Sequence, residues 1–346
     1  MMKSVISRMS RIIFSFMIIP FLVADCAQEN VIPKSPYNHT IASTNGLSPL
    51  WSLNNIYTVQ SDFESQMGAS AGLVCILGDV VYPPKEGLSC IDGLTGKTAW
   101  QRYIGTSTAI LAISNGIYVT YGGRSGIEKY DLSGKLLWSH GFSGTGVVYI
   151  YPYQNQIQLF MDPERFLVLD SNTGESIEDL NGNEVIFSTT TERFVLSFGI
   201  ESRSRDLNQV NWHTENRDML NIGGIIAPVF SDRFVFYRTG SVLGTLLAID
   251  RGTGQVAWKT ENNVVSNVIE LPNKNKVAYL TRDGKLLAVD ENNGSQNVLA
   301  EFSSAPFMLN GDIVAGGYEL ALDQSNGILF VLLGDSRQLF AFKVSN

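Results

Sequence analysis

Charge is scarce in this chain. Asp, Glu, Lys and Arg make up 17% of its 346 residues, against about a quarter in ordinary soluble domains. Apolar residues reach 44%, and that balance excludes a disordered chain, which needs the reverse. The few charges lean acidic, to a formal −8. Nucleic acid is thereby excluded as a partner, because binding it rests on Lys and Arg neutralising phosphates. With three His and three Cys in all, there is almost no material for a zinc or haem site. No apolar run is long enough to span a membrane, which takes about 20 residues. The nucleophile elbow of serine hydrolases and the phosphate loop ending in Gly-Lys-Ser/Thr are also missing. What is plentiful is glycine, 32 residues. A large, apolar, Gly-rich and weakly charged chain points to β-structure, and one repeat domain can take up its whole length.

The first residues read as an address. Lys3, Arg8 and Arg11 precede an apolar run from Ile12 to Ala24, 13 residues long. That is the length of a signal-peptide core rather than of a membrane anchor, so residues 1–25 are expected to be a signal peptide and the mature chain to be exported, periplasmic or at the cell surface. Leu22-Val23-Ala24-Asp25-Cys26 resembles a bacterial lipobox, which makes Cys26 a candidate lipid anchor. Asp25 departs from that pattern, which places a small residue beside the Cys; the other reading is cleavage after Ala24, leaving Cys26 a thiol. Residues 26–47 read as a polar tether, and residues 48–346 as the folded domain.

A repeat runs through that domain. Cys90-Ile91-Asp92-Gly93-Leu94-Thr95-Gly96-Lys97-Thr98-Ala99-Trp100 recurs as Ala248-Ile249-Asp250-Arg251-Gly252-Thr253-Gly254-Gln255-Val256-Ala257-Trp258. Weaker copies carry Asp131, Gly134 and Trp138, then Asp170 and Gly174, then Asp290 and Gly294; a degraded one carries Asp206 and Trp212. The aspartates stand 39, 39, 36, 44 and 40 residues apart, the period of a propeller blade.

Each copy has a physical reading. An apolar strand ends at the Asp, whose short side chain accepts turn N–H groups. The Gly supplies the positive φ that closes the hairpin. The next strand carries the Trp, which docks on the neighbouring sheet while its indole N–H finds a carbonyl. A calcium loop is the rival reading of Asp170 and Asp290. It needs Gly at its sixth position and Glu at its twelfth, and Glu175 and Asn181 fail both counts from Asp170, while Ser295 fails the sixth from Asp290. The turns are therefore read as structural.

A seventh unit, Gly334 to Lys343, stops one strand short of a blade, and Leu50-Trp51-Ser52-Leu53 has the character of the missing strand. The expected fold is all-β: a seven-bladed β-propeller of four antiparallel strands per blade, its last blade closed by the N-terminal strand. At about 43 residues per blade the length fits; eight blades is the alternative, given the excess near residues 303–317. This reading also places Cys75 on the first strand of its blade and Cys90 on the third, with Val80–Tyr82 between. Two strand spacings put their Cα atoms about 10 Å apart, beyond the reach of a disulfide, so two buried free thiols are expected.

The Ala-x-Asp-x-x-Thr-Gly-x-x-x-Trp pattern resembles the repeat of the PQQ-like, or quinoprotein-type, β-propeller superfamily over nearly the whole mature chain. The order of signal peptide, Cys, polar tether and propeller is similar to the outer-membrane lipoproteins of the β-barrel assembly machinery. That resemblance implies a non-enzymatic scaffold at the cell envelope, binding an envelope protein or surface ligand, with no cofactor, no metal and no catalytic residue. A PQQ-dependent dehydrogenase is the alternative, but such enzymes are similar only in the repeat: they are longer, and often carry an adjacent Cys pair over the quinone. Here the cysteines are Cys26, Cys75 and Cys90. Candidate binding surfaces are the tyrosines at 149, Tyr151 and Tyr153, the basic stretch Arg203 and Arg205 with Arg217, and residues 303–317. The bland readings beside them are aromatic packing for the tyrosines and a solvated edge for the arginines.

Overall fold

In a computed structural model the described residues are 38–58, 66–79, 87–104, 108–121, 126–142, 147–161, 165–181, 185–196, 199–215, 228–239, 243–261, 263–272, 275–303 and 317–344. They form seven antiparallel sheets set in a ring, a seven-bladed β-propeller. Blade 1 spans residues 67–103, and blades 2 to 6 span 108–141, 147–181, 185–215, 229–259 and 269–303. Blade 7 is residues 318–344 completed by Leu47–Asn54, which pairs with Gln338–Val344 and places Trp51 opposite Ala341. Closure by the N-terminal strand removes the open edge that the last blade would otherwise present.

The first strands of blades 6, 7, 1, 2 and 3 pack on one another in turn, which sets them around the axis. The fourth strands are mostly exposed and form the rim. The turns joining first to second strands lie beside those joining third to fourth: Gly93 N–H donates to Gly72 O, Ser171 N–H to Asn155 O and Glu291 N–H to Asn275 O. One face of the ring therefore carries both sets, and is called the turn face below. Second and third strands run buried for most of their length because each is sandwiched between two blades. The low charge of the chain follows directly: a blade has two buried faces and little rim.

Thr40–Thr44, within the segment read as tether, pairs with the outer strand of blade 6 as a fifth strand. Just before it, His39 Nε2 lies 2.9 Å from Asp335 Oδ2, both side chains buried, and His39 N–H donates to Gln338 Oε1 at 2.8 Å. The N-terminal segment is thus fastened to blades 6 and 7 before it supplies the closing strand.

The cysteine expectation is corrected. Met67–Ser70 is the first strand of blade 1, so Cys75 lies on the second and Cys90 on the third. The two face each other directly with Cα atoms 4.0 Å apart, and they form a disulfide. The first strand escaped notice because Met67-Gly68-Ala69-Ser70 lacks the β-branched and aromatic residues that mark strands. Ala71 and Gly72 turn the chain at φ 50° and 85°. Val80–Tyr82 lie outside the described residues.

Candidate functional site

The repeat residues form the joints between blades. All five tryptophans sit on outer strands and reach the turn of the next blade. Trp51 Nε1 donates to Gly93 O at 2.9 Å, Trp100 to Leu132 O at 2.9 Å and Trp138 to Ser171 O at 3.3 Å. Trp212 donates to Arg251 O at 2.5 Å and Trp258 to Glu291 O at 2.6 Å. In each case the acceptor is the residue just after the turn aspartate. Each indole lies flat on the turn glycine: a Cβ at Gly174, where φ is +73°, would stand 2.6 Å from the Trp138 ring. Gly96, Gly134, Gly254 and Gly294 meet Trp51, Trp100, Trp212 and Trp258 in the same way.

The aspartates hold the turns. Asp92 Oδ1 accepts from Thr95 N–H at 2.8 Å, Asp131 from Ser133, Asp170 from Asn172 and Thr173, Asp250 from Gly252 and Thr253, and Asp290 from Asn292. These bonds favour the ionised form. They hold the carboxyls of Asp92, Asp131 and Asp170 below the ordinary range, led by the side chains of Thr95 and Ser133 and the backbone of Thr173 respectively.

The joint between blades 3 and 4 departs from this pattern. Glu178 occupies the tryptophan position, opposite Val168 as Trp258 is opposite Ala248. Its carboxylate pairs with Arg193 and, at 2.9 Å, with Arg205, both of blade 4. The receiving turn has Leu207 at φ 65° where the five tryptophan joints have glycine. Arg205 also donates to Ser188 Oγ, and Arg203 pairs with Glu201 at 2.6 Å. Both candidate arginines are therefore engaged within the ring; Arg217 lies outside the described residues.

Above this region, on the turn face and toward the axis, opens a cleft of about 510 Å³. It is built from the ends of three first strands and the turns that follow them, in blades 3, 4 and 5. Tyr151 and Tyr153 come from blade 3, Phe187 from blade 4 and Phe230 from blade 5. Phe187 and Phe230 stack with centroids 4.3 Å apart, and Tyr151 meets both edge-on at 5.3 and 5.7 Å. Tyr153 meets Phe187 edge-on at 5.4 Å, and Tyr151 donates its hydroxyl to Pro228 O at 3.1 Å. Burial, and then the proximity of Tyr237, push the Tyr151 phenol well above its ordinary range, so it stays a neutral donor.

The polar side of the cleft holds Thr189 to Thr191, Ser231, Asp232 and Arg251. Arg251 is spoken for: it pairs with Glu192 at 2.6 Å, donates to Ser231 O at 2.6 Å and lies over the Phe194 ring. Asp232 is exposed and makes no such pair. Sequence reasoning found Tyr151 and Tyr153 but not Phe187, Phe230 or Asp232. The available signal was their shared place, at the end of a first strand or in the turn after it, one blade period apart.

The remaining candidates lie elsewhere. Cys26 and residues 304–316 fall outside the described residues, as does the side chain at 149. Among the described residues, no three His, Cys, Asp or Glu are grouped to hold a metal ion.

Comparison with known proteins agrees with the fold. The sequence profile of the family described as outer membrane protein assembly factor BamB matches residues 220–332. Over that stretch the chain, a β-propeller whose repeat is similar to the PQQ-like pattern, resembles that family. Among solved structures, BamB from Moraxella catarrhalis is 13% identical, covering 86% of this chain and 99% of that one, with a TM-score of 0.49. A chain of a mitotic checkpoint complex is 12% identical, covering 89% and 98%, with a TM-score of 0.64. The Pan2 WD40 domain of Neurospora crassa is 12% identical, covering 89% and 98%, with a TM-score of 0.57. At such identities the likeness to the latter two shows the fold alone. No curated protein matches in sequence.

Proposed function

We propose that this chain is a non-enzymatic scaffold of the cell envelope that holds a partner protein in the cleft over blades 3 to 5. The carrying observation is the cleft itself: an aromatic floor with polar groups at its margin, borne on rigid strands of three blades. Concave sites of that make-up are where binding concentrates. In this reading residues 1–25 are a signal peptide, 26–47 contain the tether and Cys26 carries lipid. The Cys75–Cys90 disulfide supports export, since such bonds persist in oxidising compartments. It also speaks against a quinone enzyme of the adjacent-cysteine type, because it joins residues 15 apart inside a blade.

The test is site-specific photo-crosslinking in a Gram-negative host that exports the chain through its own leader. A benzophenone amino acid at Tyr153 should give a discrete protein adduct, while one at Tyr103, 69% exposed on the rim of blade 1, should give none. Equal labelling at both positions, or none at Tyr153, overturns the reading. Cys26→Ser should move the protein from the membrane to the soluble fraction.

A further inference from the structure

The cleft has an electrostatic character that narrows its occupant. Asp232, at its edge, is exposed and unpaired, while Arg251, the one cation among the described lining residues, is consumed by Glu192 and the Ser231 carbonyl. Two further carboxylates stand nearby on blade 6, Glu270 at the end of the first strand and Glu291 in the third-to-fourth turn. Burial pushes both carboxyls above the ordinary range, and the charge of Asp232 adds to each shift, as do Glu291 for Glu270 and Asp290 for Glu291. Arg233, the neighbouring cation, is directed away from them, toward Asn292 at 2.9 Å and Asp250 at 3.6 Å. The acids here repel one another; the Ser231 side chain eases Glu291, and among the described residues no cation is placed to relieve them. Beside them stand aromatic rings whose faces attract cations.

We infer that the cleft receives a cationic side chain, arginine or lysine, presented by the partner protein, with Tyr151, Tyr153 and Phe230 around its stem and Asp232 at its charged head. This rests on the scaffold reading and names the chemistry of the contact. Arginine and lysine suit the site because their stems are apolar and their heads charged.

The test uses the full mature chain labelled with ¹³C at its tyrosines. The probes are the capped tripeptides Gly-Arg-Gly and Gly-Lys-Gly and the neutral isostere Gly-citrulline-Gly. The cationic peptides should shift the Tyr151 and Tyr153 signals, with citrulline at least about tenfold weaker. Asp232→Asn should weaken arginine-peptide binding about fivefold, and added salt should weaken it further. Asp232 is exposed, so this variant keeps its fold, as unchanged signals of the other tyrosines will report. Equal binding of the citrulline peptide overturns the proposal. So does a shift produced by maltotriose in place of the peptides, which marks a saccharide site, or tetramethylammonium binding as tightly as the peptides, which marks a free small cation. If Tyr153 still crosslinks a protein after these failures, the scaffold reading stands and only the ligand chemistry falls.

Discussion

Five blade joints are closed by a tryptophan lying on a glycine; the one between blades 3 and 4 is closed by a carboxylate between two guanidinium groups. The same ring thus contains two solutions to one packing problem. A tryptophan joint buries a large flat surface and satisfies its single polar atom with a turn carbonyl, so it gains from area and loses nothing to desolvation. The ionic joint must strip water from charges. Arg193 is 6% exposed and Glu178 20%, and Arg193 Nε and Nη1 find no partner. Such a pair is costly to break yet adds little over an apolar substitute. Apolar contact between blades 3 and 4 is divided between a small cluster, Phe166, Val168, Val185 and Val195, and the edge of a larger one in which Phe160 meets blade 4 and which continues into blade 5. The cleft opens over this joint, so the binding region stands where the ring departs from its repeat.

Breaking a tryptophan joint should have the largest effect. Trp258→Ala removes the indole from Gly294 and its bond to Glu291 O; a loss of about 3–4 kcal/mol is expected in urea unfolding. That loss should be insensitive to salt. A result below about 1 kcal/mol would mean that the tryptophans decorate the rim rather than close it.

Next is the glycine side of the contact. Gly174→Ala forces a Cβ into the Trp138 ring at a positive φ, at an expected cost of about 2–3 kcal/mol. Leu207→Gly, at the corresponding turn of the ionic joint, relieves a left-handed leucine and should change stability by about 1 kcal/mol or less. If both changes cost the same, the two joints do not differ in the way their geometry implies.

Glu178→Gln addresses the ionic joint itself. It leaves Arg193 buried without its counter-charge, for a loss of about 2 kcal/mol. In the parent, part of this stability should fade as salt rises to about 0.5 M, and the variant should lack that dependence. Unfolding curves at low and high salt for parent and variant decide the matter.

The turn aspartates give a smaller, pH-dependent effect. Hydrogen bonds depress the folded-state pKa of Asp92, Asp131, Asp170 and Asp206. Their contribution is therefore present above the ordinary carboxylate value and is lost as pH falls through the depressed one. The unfolding midpoint should be flat near neutrality and fall below about pH 4. Asp131→Asn should reduce that acid sensitivity.

Most of the ring was readable because its signals are local. An Asp, a Gly and a Trp within eleven residues state a hairpin and its contact; three complete copies and three partial ones set the period that counts the blades. Trp51 could be assigned to blade 7 because the chain ended one strand short. Two things were not readable. Met67–Ser70 has small residues where strands usually carry branched ones, so blade 1 was misaligned by a strand and the Cys75–Cys90 pair was missed. The cleft was half read: Tyr151 and Tyr153 stand two residues apart on one strand, but Phe187, Phe230 and Asp232 join them only when three blades are folded side by side. Arg205 looked like a free surface cation because its partner, Glu178, belongs to the blade before it.

The smallest expected effect separates what the two regions are for. Asp232 is not part of any joint, and its charge raises the pKa of Glu270 and Glu291 beyond the effect of their burial. A carboxyl whose folded-state pKa is raised favours the fold while protonated and works against it once ionised, so this strain is present at neutral pH and relieved in acid. Asp232→Asn should therefore raise the unfolding midpoint slightly at pH 7 and leave it unchanged at pH 4, while weakening binding of cationic peptides. Trp258→Ala, Gly174→Ala and Glu178→Gln at the joints should behave oppositely and lose stability. A site residue whose removal stabilises the fold is the signature of charge kept for a ligand. An Asp232→Asn variant less stable than the parent at pH 7 would instead place that carboxylate among the ring's structural groups.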